Sequence, residues 1–130
     1  MVSVADWAVD RGDAALIALG LGSCVAVALY DPETHVGGLA HILLPSQSLA
    51  RDRDKPAKFP ETAVPFLVDR MGDLGATRRR LRARLVGGAS MFAGLSSGSV
   101  ASVGERNVQS THEALGRAGI PVVAEDTGKD

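Results

Sequence analysis

The sequence of 130 residues predicts an α+β fold, with mixed or antiparallel β-sheet layers and two main helices packed on one face. Three observations carry that prediction. Residues 61–74 and 103–118 repeat apolar side chains at helical spacing, several short valine- and leucine-rich runs read as strands, and two of those runs are joined by a link short enough to force a reversal. With 45% hydrophobic and 22% charged residues, the chain suits one domain over residues 1–130 with a core of its own. Aromatic residues are only 4%, so Val, Leu, Ile and Ala must fill that core.

Along the chain, Val2 to Val9 reads as a short strand leading to a turn at Arg11-Gly12-Asp13, and Ala14 to Ala18 as a second. Gly20-Leu21-Gly22-Ser23 then approaches Cys24, the one cysteine. A Gly-x-Gly without a third glycine and a following helix is poor evidence for a dinucleotide site. Val25 to Tyr30 and Val36 to Leu44 read as buried strands of a hairpin, separated by Asp31-Pro32-Glu33-Thr34-His35. With a loop of Asp31 to Thr34, Cys24 lies opposite His41 on one sheet face. A register one residue longer sends the two to opposite faces, because side chains alternate along a strand. One register therefore gives a thiol and an imidazole within reach, the minimum for a base-activated cysteine nucleophile.

Beyond Pro45, residues 46–58 are polar and read as an exposed loop. In the helix at 61–74, Val64, Leu67, Val68, Met71 and Leu74 share a face, Pro60 suits the opening turn, and Gly72 and Gly75 mark the exit. Pro65 implies either a later start or an irregular first turn. Arg78, Arg80, Arg82 and Arg84 alternate with apolar residues as one face of a strand over 78–85. That stripe invites a nucleic-acid reading, but no aromatic residue interleaves it to stack on bases and the formal net charge is −1, so a solvated face or contact with an acidic protein surface fits better. Gly87-Gly88 and the following small residues read either as a close backbone approach that lines the cysteine pocket or as a plain tight connection with Met91 and Phe92 in the core, and residues 95–103 read as a loop. In the second helix Val108, Thr111, Leu115 and Ala118 face inward, and Gly119 is the stop. Ile120 to Ala124 is the last strand. His35 and His112 have no partners at ligand spacing in sequence and read as structural or surface residues.

The lone cysteine rules out an internal disulfide and fits a reducing compartment. Met1 to Arg11 contains no long apolar run, so the reading is of neither signal peptide nor membrane span, and a cytoplasmic location.

Several blocks carry a further signal: Gly20-Leu21-Gly22-Ser23-Cys24, Gly38-Leu39-Ala40-His41, Lys58-Phe59-Pro60-Glu61-Thr62-Ala63, Gly87-Gly88-Ala89-Ser90-Met91-Phe92, Gly104-Glu105-Arg106-Asn107-Val108 and Ala124-Glu125-Asp126-Thr127-Gly128. In this order they resemble the chemoreceptor glutamine deamidase family, CheD, over nearly the whole chain. Without them a free cysteine reads as a small buried apolar residue. The resemblance implies a CheD-like cysteine hydrolase fold, with Cys24 as nucleophile, His41 as its base and no metal or organic cofactor. It implies methyl-accepting chemotaxis receptors as substrates and a CheC-type phosphatase as a further partner, with no nucleic acid and no direct membrane insertion. Backbone N–H groups at Gly22 and Ser23, near Cys24, are candidates for an oxyanion site. The family also has a threonine six residues before the cysteine that helps to hold the histidine. Here that slot is Ala18, whose methyl group accepts no hydrogen bond. Chains of this kind also usually continue past Asp-Thr-Gly into a further segment that is lacking here.

Overall fold

A computed structural model describes residues 7–11, 25–42, 56–88 and 103–127. The strands β1 (Trp7–Arg11), β2 (Val25–Asp31), β3 (Val36–Ile42), β4 (Arg82–Gly87) and β5 (Val122–Thr127) form one sheet in the order β1-β3-β2-β4-β5. Neighbours are antiparallel except β4 and β5, which run parallel. The crossover between that parallel pair holds the helix α2 (Val103–Ala118), as a parallel connection requires. The other helix, α1 (Pro60–Asp73), links β3 to β4.

Both helices pack on one face of the sheet. The period-2 alternation of the strands sends Val25, Val27 and Leu29, Val36, Ala40 and Ile42, and Ala83 and Leu85 to that face, where they bury against Val64, Leu67 and Met71 of α1 and Ala114 and Leu115 of α2. Trp7 of β1 meets Phe66 edge-on with ring centroids 4.7 Å apart, so the outermost strand is tied to the same layer. Gly38 marks where α1 crosses β3, since a Cβ there would lie 2.8 Å from Met71 Sδ.

The ends of the helices follow the expected chemistry. Pro60 opens α1, and Pro65 sits inside it without ending it. At the C-termini, Ala76 N–H donates to Met71 O and Ile120 N–H to Leu115 O, with Gly75 and Gly119 at φ +103° and +72°. These are the glycine-dependent closures that satisfy last-turn carbonyls.

Three strand boundaries differ from the sequence expectation. The first strand is Trp7–Arg11, so Arg11 belongs to the ladder and not to a turn; the last runs to Thr127. The arginine stretch does not form a strand from residue 78. Arg78–Arg80 is a 3-10 turn and β4 starts at Arg82, which breaks the expected four-arginine face into two pairs. The cause is Asp31, whose carboxylate is fully buried at the end of β2. It accepts hydrogen bonds from Thr77 N–H (3.0 Å) and from Arg80 Nε (3.0 and 3.1 Å), and Arg80 Nη2 lies 2.9 Å from Oδ2. Reaching that carboxylate requires the chain to coil before it extends. The strand expected over 14–18 and the small-residue stretch 89–102 lie outside the described residues.

Candidate active site

The hairpin β2–β3 positions the one candidate side chain that the structure describes. Asp31 pairs with Val36 across a turn of Pro32-Glu33-Thr34-His35, and His35 takes a left-handed φ of 59°. The turn is closed by His35 N–H donating to Asp31 O at 2.9 Å, and by Glu33 N–H donating to Asp31 Oδ1 at 3.0 Å. This loop is one residue later than the Asp31 to Thr34 loop considered above. Accordingly His41 lies opposite Ala26, not opposite position 24. The reason is again Asp31: its side chain caps the turn and binds Arg80, which keeps its backbone in the strand.

His41 points to the face that the helices do not cover, yet it is fully buried, next to Leu39 at 5% and Ala26 at 6% exposure. Its imidazole stands on the sheet face whose other end exposes Tyr30. Cys24, Ser23, Gly22 and Ala18 lie outside the described residues.

The end of the sheet that carries His41 brings together, on its helix-covered face, segments far apart in sequence. Val25 pairs with Ile42 on one side and with Gly87 on the other, and Thr127 lies beside Gly87. Gly88, at φ +68°, is so close to the first turn of α2 that a Cβ would fall 3.0 Å from Gly104 O, 2.3 Å from Val108 Cγ2 and 3.3 Å from Val25 Cγ2. One end of the sheet therefore gathers His41, Gly87-Gly88, the start of α2 and the end of β5. In α2, Asn107 and Thr111 are fully buried polar residues, with the Thr111 hydroxyl donating to Asn107 O at 2.7 Å.

On the helix side of β5, His112 Nε2 lies 2.6 Å from Glu125 Oε1, and the Thr127 hydroxyl donates to Glu125 Oε2. The Thr127 hydrogen bond, with His112 adding to it, holds the Glu125 carboxyl below its ordinary range. His112 thus has an acidic partner from β5 that its own helix does not provide, in keeping with the structural or surface role read from sequence. Among the described residues, no three His, Cys, Asp or Glu side chains cluster closely enough to hold a metal ion, and no helix is long and apolar enough to cross a membrane.

Comparison with known proteins adds the family. The profile described as CheD chemotactic sensory transduction matches residues 43–130. A protein of Desulforamulus reducens named probable chemoreceptor glutamine deamidase CheD is 46% identical over 127 residues, covering 98% of this chain and 76% of that protein. Proteins of the same name from Moorella thermoacetica and Pyrococcus abyssi are 47% and 45% identical, each covering 98% of this chain and 77% of their own length. The profile begins just after His41, whereas the alignments with these relatives span the residues around Cys24 and His41 as well. On the fold, the quoted blocks and these matches together, the chain belongs to the CheD family.

Proposed function

We propose that the protein is a glutamine deamidase, converting glutamine side chains of methyl-accepting chemotaxis receptors to glutamate with release of ammonia, with Cys24 as nucleophile and His41 as its base. The observation that carries this reading is the convergence at one end of the sheet. Gly87-Gly88, the Gly104–Val108 turn and the end of β5 meet around Val25, the residue that follows Cys24, and His41 stands at the same end of the sheet on its other face, paired with Ala26. One peptide link separates the thiol-bearing residue from that cluster, about 3.8 Å between Cα atoms. In sequence Cys24 stands two positions from Ala26, the cross-strand partner of His41.

The chemistry balances without a metal or organic cofactor. His41 takes the Cys24 proton, and the thiolate attacks the amide carbonyl carbon of glutamine to form a C–S bond. Backbone N–H groups near Gly22 and Ser23 receive the developing oxyanion. The tetrahedral adduct collapses with cleavage of the C–N bond, and the nitrogen leaves as ammonia with the proton from His41. Water, deprotonated by His41, then cleaves the thioester, giving glutamate and restoring the thiol. Burial of His41 keeps bulk water from competing for the proton. Because Ala18 gives the imidazole no acceptor, its orientation falls to a backbone carbonyl, a water or the Ser23 hydroxyl. The site of action is the cytoplasmic part of the receptors.

Ala18 also favours a second reading, a catalytically weak or inactive adaptor that docks on receptors or on a CheC-type phosphatase. Thiol alkylation separates the two. In the enzyme, Cys24 labels rapidly with a pH dependence that His41→Ala removes; in an adaptor it labels at the rate of an ordinary thiol. Incubation with a receptor cytoplasmic fragment, followed by mass spectrometry, should show a gain of about 1 Da at a glutamine, the mass difference between amide and acid. No gain in any receptor fragment would rule out the deamidase.

A further inference from the structure

The face of the sheet opposite the helices carries a groove that the reaction above does not use. It holds about 540 Å3 and is lined by Ala28, Tyr30, Leu39, Arg82, Arg84 and Val123, among others. Cross-strand pairing orders it into rows: His41, Ala26 and Val86; then Leu39, Ala28 and Arg84; then Gly37, Tyr30 and Arg82. His41 itself is buried and lies one row, two residues along β3, beyond the Leu39 row that lines the groove. Tyr30, Val86 and Val123 are 42%, 45% and 53% exposed, an apolar surface of the kind that marks interaction sites. Arg82 and Arg84 are exposed, and neither is paired with a carboxylate among the described residues, whereas Arg80 of the same run is held by Asp31 and Glu33. The acidic groups of this face, Asp10 on β1 and Asp126 on β5, stand on the outer strands, leaving the middle of the sheet basic.

We infer that this groove receives an acidic helix of the substrate, and that Arg82 and Arg84 select target glutamines by carboxylates at fixed distances along it. The inference rests on the deamidase reading for its zero point, His41. The middle strands β3, β2 and β4 are each hydrogen-bonded on both sides, so an extended peptide lying here finds no free ladder edge. A helix brings its own backbone bonds and needs only side-chain contacts. Two residues along a strand span about 7 Å and two strands across span about 10 Å, which sets Arg84 about 12 Å and Arg82 about 17 Å from His41, Cα to Cα. At 1.5 Å rise per residue, carboxylates seven and eleven positions from the glutamine lie about 10 and 16 Å away and on the same helical face. Two apolar residues between them would rest on Ala28, Tyr30 and Leu39.

The test uses two helical 24-residue peptides with a single glutamine, one with glutamate at positions +7 and +11 and one with neutral residues there, together with their reversed sequences. Ammonia release gives kcat/KM, and fluorescence anisotropy with the full-length Cys24→Ala chain gives affinity without turnover. One glutamate peptide, in one chain direction, is expected to be preferred about tenfold at low salt, a preference that salt screens. In the Arg82→Gln/Arg84→Gln double variant, with its fold checked by circular dichroism, the ratio should collapse to one. A ratio that persists in the double variant, or equal use of acidic and neutral peptides by the unaltered chain, overturns the inference. So does a change of sedimentation coefficient in the double variant, which would make the face a contact between copies. Absence of turnover alongside an intact affinity ratio counts against the deamidase reading and leaves the groove assignment standing.

Discussion

Replacing Asp31 by Asn tests whether one buried carboxylate joins the hairpin to the start of β4. Asp31 is fully buried and receives hydrogen bonds from Arg80, Thr77 N–H, Glu33 N–H and Thr34 N–H. The amide of Asn keeps one oxygen as acceptor but turns an N–H2 toward donors, so at least one of Thr77 N–H and Arg80 is left facing another donor. Breaking a fully buried pair costs about 3 to 5 kcal/mol, but the Arg80 side chain is 32% exposed and retains Glu33 at 2.8 Å. The expected loss is therefore about 2 to 3 kcal/mol. With an unfolding entropy of roughly 2.1 cal/mol/K per residue, a chain of 130 residues loses about 10 °C in Tm. The pH dependence gives a second signature. The Arg80 guanidinium, helped by the backbone donors, holds the Asp31 carboxyl far below its ordinary value despite burial. A depressed carboxyl stabilises the fold above its unfolded pKa of about 3.9, and this stability is lost as pH falls toward the folded value. Scanning calorimetry should find the gap between unaltered and Asn chains constant from about pH 5 to 7 and narrowing below about pH 4. A gap under 2 °C at pH 7, or one that does not narrow in acid, would refute the assignment.

Gly88→Ala should destabilise by about 3 kcal/mol, because the new Cβ enters both a left-handed backbone position and the space of Val108 Cγ2; urea unfolding measures it, and a change under 1 kcal/mol would mean that α2 moves freely away from β4. Glu125→Gln should cost less than about 1 kcal/mol, since the His112 pair is only partly buried, and the loss should disappear as pH falls below the ordinary carboxylate pKa of about 4.3. Ala18→Thr should raise the deamidation rate if the missing hydroxyl limits orientation of His41. An unchanged rate in a mass-spectrometric assay would mean that another acceptor already performs that task.

The elements that sequence reveals here are those whose cause is local. The α1 stripe of Val64, Leu67 and Met71 and the α2 stripe of Thr111 and Leu115 bury as their spacing requires. Glycines 75 and 119 end the helices because only the left-handed backbone allows their closing hydrogen bonds. Two of the misplaced features, the hairpin loop and the start of β4, have one nonlocal cause. Asp31 has the composition of a loop residue and Arg80 that of a strand face; each sits elsewhere because they bind each other across 49 positions of sequence. No window of neighbouring residues contains that pair.

The same pair bears on the candidate site. By holding Asp31 in β2, it sets the register in which His41 faces Ala26, a shift of two positions from the arrangement with Cys24 directly opposite. A shift of two preserves the sheet face, whereas a shift of one would reverse it. The observed register therefore keeps His41 on the face away from the helices. Because Arg80 is committed to Asp31, only Arg82 and Arg84 of the basic run remain on the face that His41 shares. If the Asp31 clamp were lost, a hairpin sliding by one residue would turn His41 toward α1. Asp31→Asn chains that stay folded should then lose the pH-dependent labelling of Cys24 even though residue 31 lies at the far end of the strand. Retained labelling would show that the ladder with β1 and β4 holds the register unaided.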